Sequence, residues 1–132
     1  MKIAVIGSTS GIGLAMVEAA LADGHAVCAL ARRPERMPIS NERLRVIAGD
    51  ARELDAITKV VEGQDVVCDC LGTAKVTQTI TLFSRCAENL AKALQPEQLL
   101  IVVTGIGAGD SRGHCGFFLR LHISSNCSAQ DL

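Results

Sequence analysis

The chain has no tryptophan and no tyrosine, and its three aromatic residues are all phenylalanine. So little aromatic surface excludes the stacking platforms that hold single-stranded nucleic acids. A net charge of −1 likewise removes the basic footprint of nucleic-acid binding. Without tyrosine, no phenol can serve as a general acid. No apolar run approaches the roughly 20 residues that span a bilayer, so no membrane segment is predicted. Lys2 and the short apolar run before Gly7 fall short of a signal-peptide core, which predicts a cytoplasmic protein. In that compartment the six cysteines read as small buried hydrophobes rather than a disulfide set.

What remains is apolar and glycine-rich. Hydrophobic residues make up 48% of the 132 positions, with a mean hydropathy of +0.31, as a sheet buried on both faces requires. The length suits one domain with a real core. Ile3-Ala-Val-Ile6 reads as a buried strand, followed at once by Gly7-Ser-Thr-Ser-Gly11-Ile-Gly13 and then an alanine-rich helix from about Gly11 to Asp23. Strand, glycine turn and helix in that order predict a dinucleotide site. Gly7 lets the chain turn off the strand, Gly11 lets the backbone approach a pyrophosphate, and Gly13 lets the helix pack close. The first-turn N–H groups, at Ile12 and its neighbours, face the anion together with the helix dipole. Ser8, Thr9 and Ser10 are expected to add hydroxyl donors.

Gly24 ends the helix, and His25–Ala31 reads as the second strand. About 20 residues beyond a glycine turn of this kind, an acidic residue binds the ribose 2′-hydroxyl of NAD. This chain carries Arg32 and Arg33 there, whose guanidinium groups suit the 2′-phosphate of NADP, so NADP is expected over NAD. Leu44–Gly49 reads as a third strand that ends at Asp50 and Ala51, with Asp50 placed either to touch the adenine edge or to cap the next helix. A helix is predicted over Arg52–Glu62 with Leu54, Ile57, Val60 and Val61 inward.

Asp65–Thr73 reads as a fourth strand closing on Leu71, Gly72 and Thr73, with Asp69 mid-strand, where an unpaired buried carboxylate is costly. Cys68 and Cys70 share one face of it. Val76–Gln95 is the longest helix candidate, striped by Val76, Ile80, Phe83, Ala87, Leu90, Ala91 and Leu94. Leu99–Thr104 is an apolar fifth strand running into Gly105. The alternation predicts an α/β class, a Rossmann-like doubly wound parallel sheet of about five strands with helices on both faces. Its ligand crevice lies at the strand carboxyl ends, where the glycine turn, Arg32, Asp50, Gly72-Thr73 and Thr104-Gly105 converge.

These residues resemble the short-chain dehydrogenase/reductase superfamily from about Ile3 to Arg112. They are most similar to its atypical NAD(P)H-binding branch, which includes the biliverdin reductase B/flavin reductase and NmrA-like proteins. The marks are the glycine turn, Arg32-Arg33, Gly49-Asp50, Gly63-Gln-Asp-Val-Val67, Leu71-Gly-Thr73 and the Thr104 strand end. The resemblance implies an NADPH-binding oxidoreductase passing hydride to a small planar acceptor such as a flavin, quinone or tetrapyrrole. The alternative is a non-catalytic NADP(H) sensor or a shortened, inactive paralogue.

The sequence departs from that family in two ways. Ser10 stands where the atypical branch places a glycine, and the absence of tyrosine excludes the Tyr-x-x-x-Lys mechanism of the main branch. The expected domain is 1–112, followed by an atypical tail over 113–132. Phe117, Leu119, Leu121 and Ile123 alternate with Phe118, Arg120 and His122, a strand period that could cover the fifth strand. An uncovered apolar edge favours self-association. His114, Cys115, His122 and Cys127 match no zinc spacing, so no metal is expected.

Overall fold

Successive residues of a strand face opposite sides of a sheet, so a strand with no polar residue in Ile3–Ile6 needs cover on both. The computed structural model, which describes residues 1–72 and 81–103, provides it. In chain order the elements are β1 (Lys2–Ile6), α1 (Gly11–Ala22), β2 (Ala26–Ala31), a 3-10 turn (Pro34–Arg36), β3 (Leu44–Ala48), α2 (Leu54–Val61), β4 (Val66–Asp69), α3 (Leu82–Ala93) and β5 (Leu99–Val102). The strands form one parallel sheet in the order β3-β2-β1-β4-β5, a Rossmann-like doubly wound fold.

Two apolar layers follow from the strand alternation. On one face Ile3, Val5, Val27 and Cys68 pack with Val17, Ala20 and Leu21 of α1. On the other, Ala4, Ile6, Cys28, Leu30 and Val67 pack with Ile57, Val60 and Val61 of α2 and with Cys86 and Leu90 of α3. Each fully buried Val, Leu or Ile stabilises the fold by about 1.5–3 kcal/mol. The core is therefore centred on β1, and β1 is also where strand order reverses. Ile6 pairs with Leu30 on one side and Asp69 on the other, so Gly7 is level with Ala31 and Cys70. Ala31 pairs with Ala48, which brings Arg32 level with Gly49. The register thus gathers these strand ends along one rim of the sheet.

Three expectations need correction. Leu54 opens α2 and is 40% exposed, while Ala56 takes the inward place beneath Gly49. The fourth strand stops at Asp69, so Asp69 is its last residue rather than its middle, and Leu71 and Gly72 follow as loop. On α3 the buried residues are Cys86, Asn89 and Leu90, whereas Phe83 is 43% exposed and Ala87 and Ala91 are also exposed. The helix is turned by one position, and Cys86 and Asn89 meet buried hydrogen-bond partners at the end of β4 and in the loop before α2, a pairing that apolar periodicity does not register. Cys68 and Cys70 do pack in the same layer. The start of the expected Val76–Gln95 helix, Thr73, Thr104, Gly105, the tail 113–132 and its Phe117–Ile123 segment lie outside the described residues. All four residues of β5 are exposed at the end of the described sheet. No helix of the described residues is long and apolar enough to cross a membrane.

Candidate functional site

The rim of the sheet carries two differently built regions. The first is the glycine turn. Gly7 has φ +77°, and a Cβ there would stand 2.7 Å from the Cys70 carbonyl oxygen, because β1 and β4 are hydrogen-bonded neighbours. A Cβ on Gly13 would collide with the Gly7 carbonyl oxygen, so the first turn of α1 sits directly on the turn that precedes it. Gly11 has φ +56° and nothing within 4 Å of an added Cβ, so its flank is open to a ligand. Ser10 precedes α1 in extended conformation and makes no side-chain cap bond. The first-turn N–H groups of α1 therefore keep their capacity for an anion.

Ser8 corrects the sequence reading. Its side chain is fully buried, and Oγ donates to the Leu30 carbonyl at 2.9 Å. The hydroxyl pins the turn to the end of β2 and is not available to a ligand. Thr9 is half-buried at the mouth of the second region, and Ser10 and Ile12 are exposed.

The second region is a crevice of about 490 Å³ lined by Thr9, Arg32, Arg33, Arg36, Asp50 and Arg52. Four guanidinium groups face one carboxylate, a local net charge of about +3 in a chain whose formal net charge is −1. Arg33 and Arg36 are brought together by the 3-10 turn, closed by the Arg36 amide donating to the Arg33 carbonyl at 3.0 Å. The carboxylate is already engaged. Arg52 Nε donates to Asp50 Oδ1 at 3.0 Å and Nη2 to Oδ2 at 2.6 Å, while the Arg52 amide donates to Oδ1 at 2.9 Å. These bonds, with Arg32 adding a smaller attraction, hold the Asp50 carboxyl at about 2. Asp50 therefore caps its own turn and not the helix, whose cap position is Glu53. Arg52–Asp50 is the only ion pair among the described residues.

Arg36 and Arg52 were not among the residues expected from sequence. Their signals were present: a three-residue spacing from Arg33 to Arg36 across Pro34, and an Asp-x-Arg run in which the acid can bond two residues ahead. Ala51, between Asp50 and Arg52, is buried, and its carbonyl accepts from Asn89 Nδ2 at 3.0 Å.

At the end of β4, Asp69 is buried, accepting from the Leu71 amide at 3.1 Å and from the Cys86 thiol at 3.8 Å. Burial pushes its carboxyl up, against the pull of those two donors. The Cys86 thiol is pushed up to about 12 by burial and then by the neighbouring Asp69. Burial also raises Cys28, Cys68 and Cys70, so none of these four is poised as a thiolate nucleophile. Leu71 is half-buried and Gly72 exposed, with open space where a Cβ would stand. Of the residues expected at the site, Thr9, Arg32, Arg33 and Asp50 line one crevice, and Gly7 abuts the Cys70–Leu71 backbone.

Comparison with known proteins places this geometry among relatives. Residues 7–126 match a family described as NAD(P)H-binding. An uncharacterised protein of Mycobacterium bovis is 37% identical over 71 residues, which are 53% of this chain and 8% of that protein. Among solved structures, a candidate epimerase from Bacteroides thetaiotaomicron is similar at 32% identity and a TM-score of 0.67, over 81% of this chain and 48% of that one. A candidate NADH-flavin reductase from Streptococcus pneumoniae is similar at 29% identity and a TM-score of 0.64, over 82% of this chain and 49% of that one. An oxidoreductase from Lactococcus lactis shares the fold at 18% identity and a TM-score of 0.72, over 92% of this chain and 56% of that one. The chain spans about half the length of these solved structures and less than a tenth of the mycobacterial protein.

Proposed function

The chain belongs to the NAD(P)H-binding family that it matches over residues 7–126, and from that premise we propose that it binds NADPH in preference to NADH and passes a hydride to a small planar acceptor. The observation that carries the NADPH reading is the crevice, in which Arg32, Arg33 and Arg36 have no carboxylate partner among the described residues and the carboxylate of Asp50 is held by Arg52. A ribose 2′-phosphate brings about two negative charges and acceptor oxygens that guanidinium groups meet in bidentate fashion. In NAD-preferring sites a carboxylate occupies this place.

The residues fit the cofactor at both ends of its phosphate chain. The glycine turn offers open backbone at Gly11 and the uncapped first turn of α1, including Ile12 and Gly13, for the pyrophosphate. Gly7 sets the turn's path, Ser8 fixes it, and Thr9 and Ser10 border it. Asp50 and Ala51 stand on the adenosine side, and Leu71 and Gly72, which follow β4, on the nicotinamide side. When bound, the nicotinamide supplies the hydride.

The acceptor class follows from the missing phenol. Reduction of an isolated carbonyl develops an alkoxide that needs a nearby acid, and the chain has no tyrosine to supply one. A flavin, quinone or tetrapyrrole spreads the incoming charge over a conjugated ring and takes its proton from water. The similarity to a candidate NADH-flavin reductase supports the same acceptor class.

Isothermal titration with NADPH and NADH, followed by NADPH oxidation against a panel of flavins and quinones, tests the reading. Tighter binding of NADPH with turnover of one acceptor is expected. Equal affinities would overturn the preference. Tight NADPH binding without turnover would make the protein a cofactor sensor instead.

A further inference from the structure

We propose that Arg52 is a specificity-determining residue for the 2′-phosphate and that Asp50 is its positioning residue. The inference rests on the NADPH reading above and adds a second wall to the phosphate site. Arg32, Arg33 and Arg36 come from the connection after β2, whereas Arg52 comes from the loop between β3 and α2. A phosphate in the crevice is therefore met from two segments.

Arg52 is half exposed, at 50%, and an exposed arginine normally samples many rotamers. Here its head is fixed by two bonds to Asp50, and Asp50 is fixed in turn by the Arg52 amide. The loop is held a third time from behind, where buried Asn89 donates to the carbonyl of Ala51. The fork to Asp50 uses two of the five guanidinium N–H donors, which leaves three for a ligand. Both Asp50 oxygens accept from the same arginine, which takes three of the carboxylate's roughly four acceptor sites. The low proton affinity of Asp50 keeps this fork ionised across the physiological range.

Charge and positioning make opposite predictions for Asp50, and that makes the inference testable. If Asp50 acted only by its charge, Asp50→Asn would strengthen binding of an anionic ligand. If it positions Arg52, the same change weakens NADPH binding while Arg52 is present and ceases to do so in the Arg52→Ala background. The experiment is a double-mutant cycle on the full chain, titrating NADPH, NADH and adenosine 2′,5′-bisphosphate, with thermal unfolding as the fold control.

Arg52→Ala is expected to weaken NADPH and the bisphosphate by about tenfold and NADH by less than about twofold. Arg52→Lys is expected to recover little, since an ammonium cannot form the fork. Asp50→Asn is expected to weaken NADPH by about threefold only when Arg52 is intact. Stronger NADPH binding by Asp50→Asn in both backgrounds would overturn the positioning role. Equal loss of NADH and NADPH in Arg52→Ala would overturn the specificity role. Equal NADH and NADPH affinity in the wild-type chain is a separate failure, that of the NADPH reading itself.

Discussion

The glycine turn and the arginine crevice lie side by side on one rim of the sheet and prepare for phosphate by opposite means. The turn removes side chains: Gly7 and Gly13 have no room for a Cβ, and Ser8 is turned inward to the Leu30 carbonyl. What it presents is backbone, fixed by packing against β4 and α1. The crevice adds side chains: four arginines and one aspartate stand around an open volume. The first region is therefore tied to the folding core, and the second is tied mainly to itself through Asp50–Arg52. Changes in the turn are expected to act on stability, and changes in the crevice on selectivity.

The largest effect is expected at Gly13. Gly13→Ala drives a Cβ into the Gly7 carbonyl, and both are backbone-bound, so α1 must shift from the sheet. A loss of at least about 3 kcal/mol is expected, the upper end of overpacking costs, with cofactor binding lost alongside. Urea unfolding checks it. Gly13→Ala with near wild-type stability would break the claim that this turn is fixed by packing.

Ser8→Ala is expected to be milder and equally diagnostic. It leaves the buried Leu30 carbonyl without its hydroxyl donor, which costs about 1–2 kcal/mol of stability. NADPH affinity should change by less than about twofold. Lost affinity at unchanged stability would return the hydroxyl to the ligand and erase the contrast between the two regions.

In the crevice the order reverses. Arg32→Glu is exposed and should unfold like the wild type, yet weaken NADPH by about tenfold or more while leaving NADH nearly unaffected. The ratio of the two dissociation constants is the measurement. Equal losses would mean that the crevice does not discriminate the 2′-phosphate.

The two regions also differ in how far the sequence discloses them. Strand, turn and helix around Gly7–Gly13 are local, and Gly13 packs on Gly7 six residues before it, so periodicity and spacing were enough to place the turn, though not the close approach of Gly7 to Cys70. The five-strand alternation likewise followed from apolar runs and their stops. The crevice was half legible: Arg32 and Arg33 stood at the expected distance from the turn, but Arg52 joins them only because β3 lies beside β2. Ser8 misled because its partner, Leu30, is 22 residues away. The α3 face misled because polar Asn89 is inward for its bond to Ala51, and Cys86 both packs in the apolar layer and bonds Asp69.

The smallest expected effect sets the two strand-end aspartates against each other. Asp50 ends β3 on the crevice side, and its carboxyl is held at about 2 by Arg52. A folded-state value below the unfolded one means that Asp50 stabilises the fold above the ordinary carboxylate range and loses that contribution as pH falls from about 4 towards 2. Because Arg52 is half exposed, solvent screening keeps the contribution small. Asp69 ends β4 among apolar neighbours, and burial pushes its carboxyl up. Its native form retains a proton that the unfolded chain has already lost, so its contribution falls as pH rises from the ordinary carboxylate value through the raised one. The Leu71 amide and the Cys86 thiol oppose that shift and keep it modest. Urea unfolding of the wild type, Asp50→Asn and Asp69→Asn between about pH 3 and 7 separates the two. The wild-type advantage over Asp50→Asn should grow with rising pH, and the advantage over Asp69→Asn should shrink. Slopes of the same sign would mean that the β3 and β4 ends share one electrostatic environment, and that the boundary between crevice and core drawn at Asp69 is misplaced.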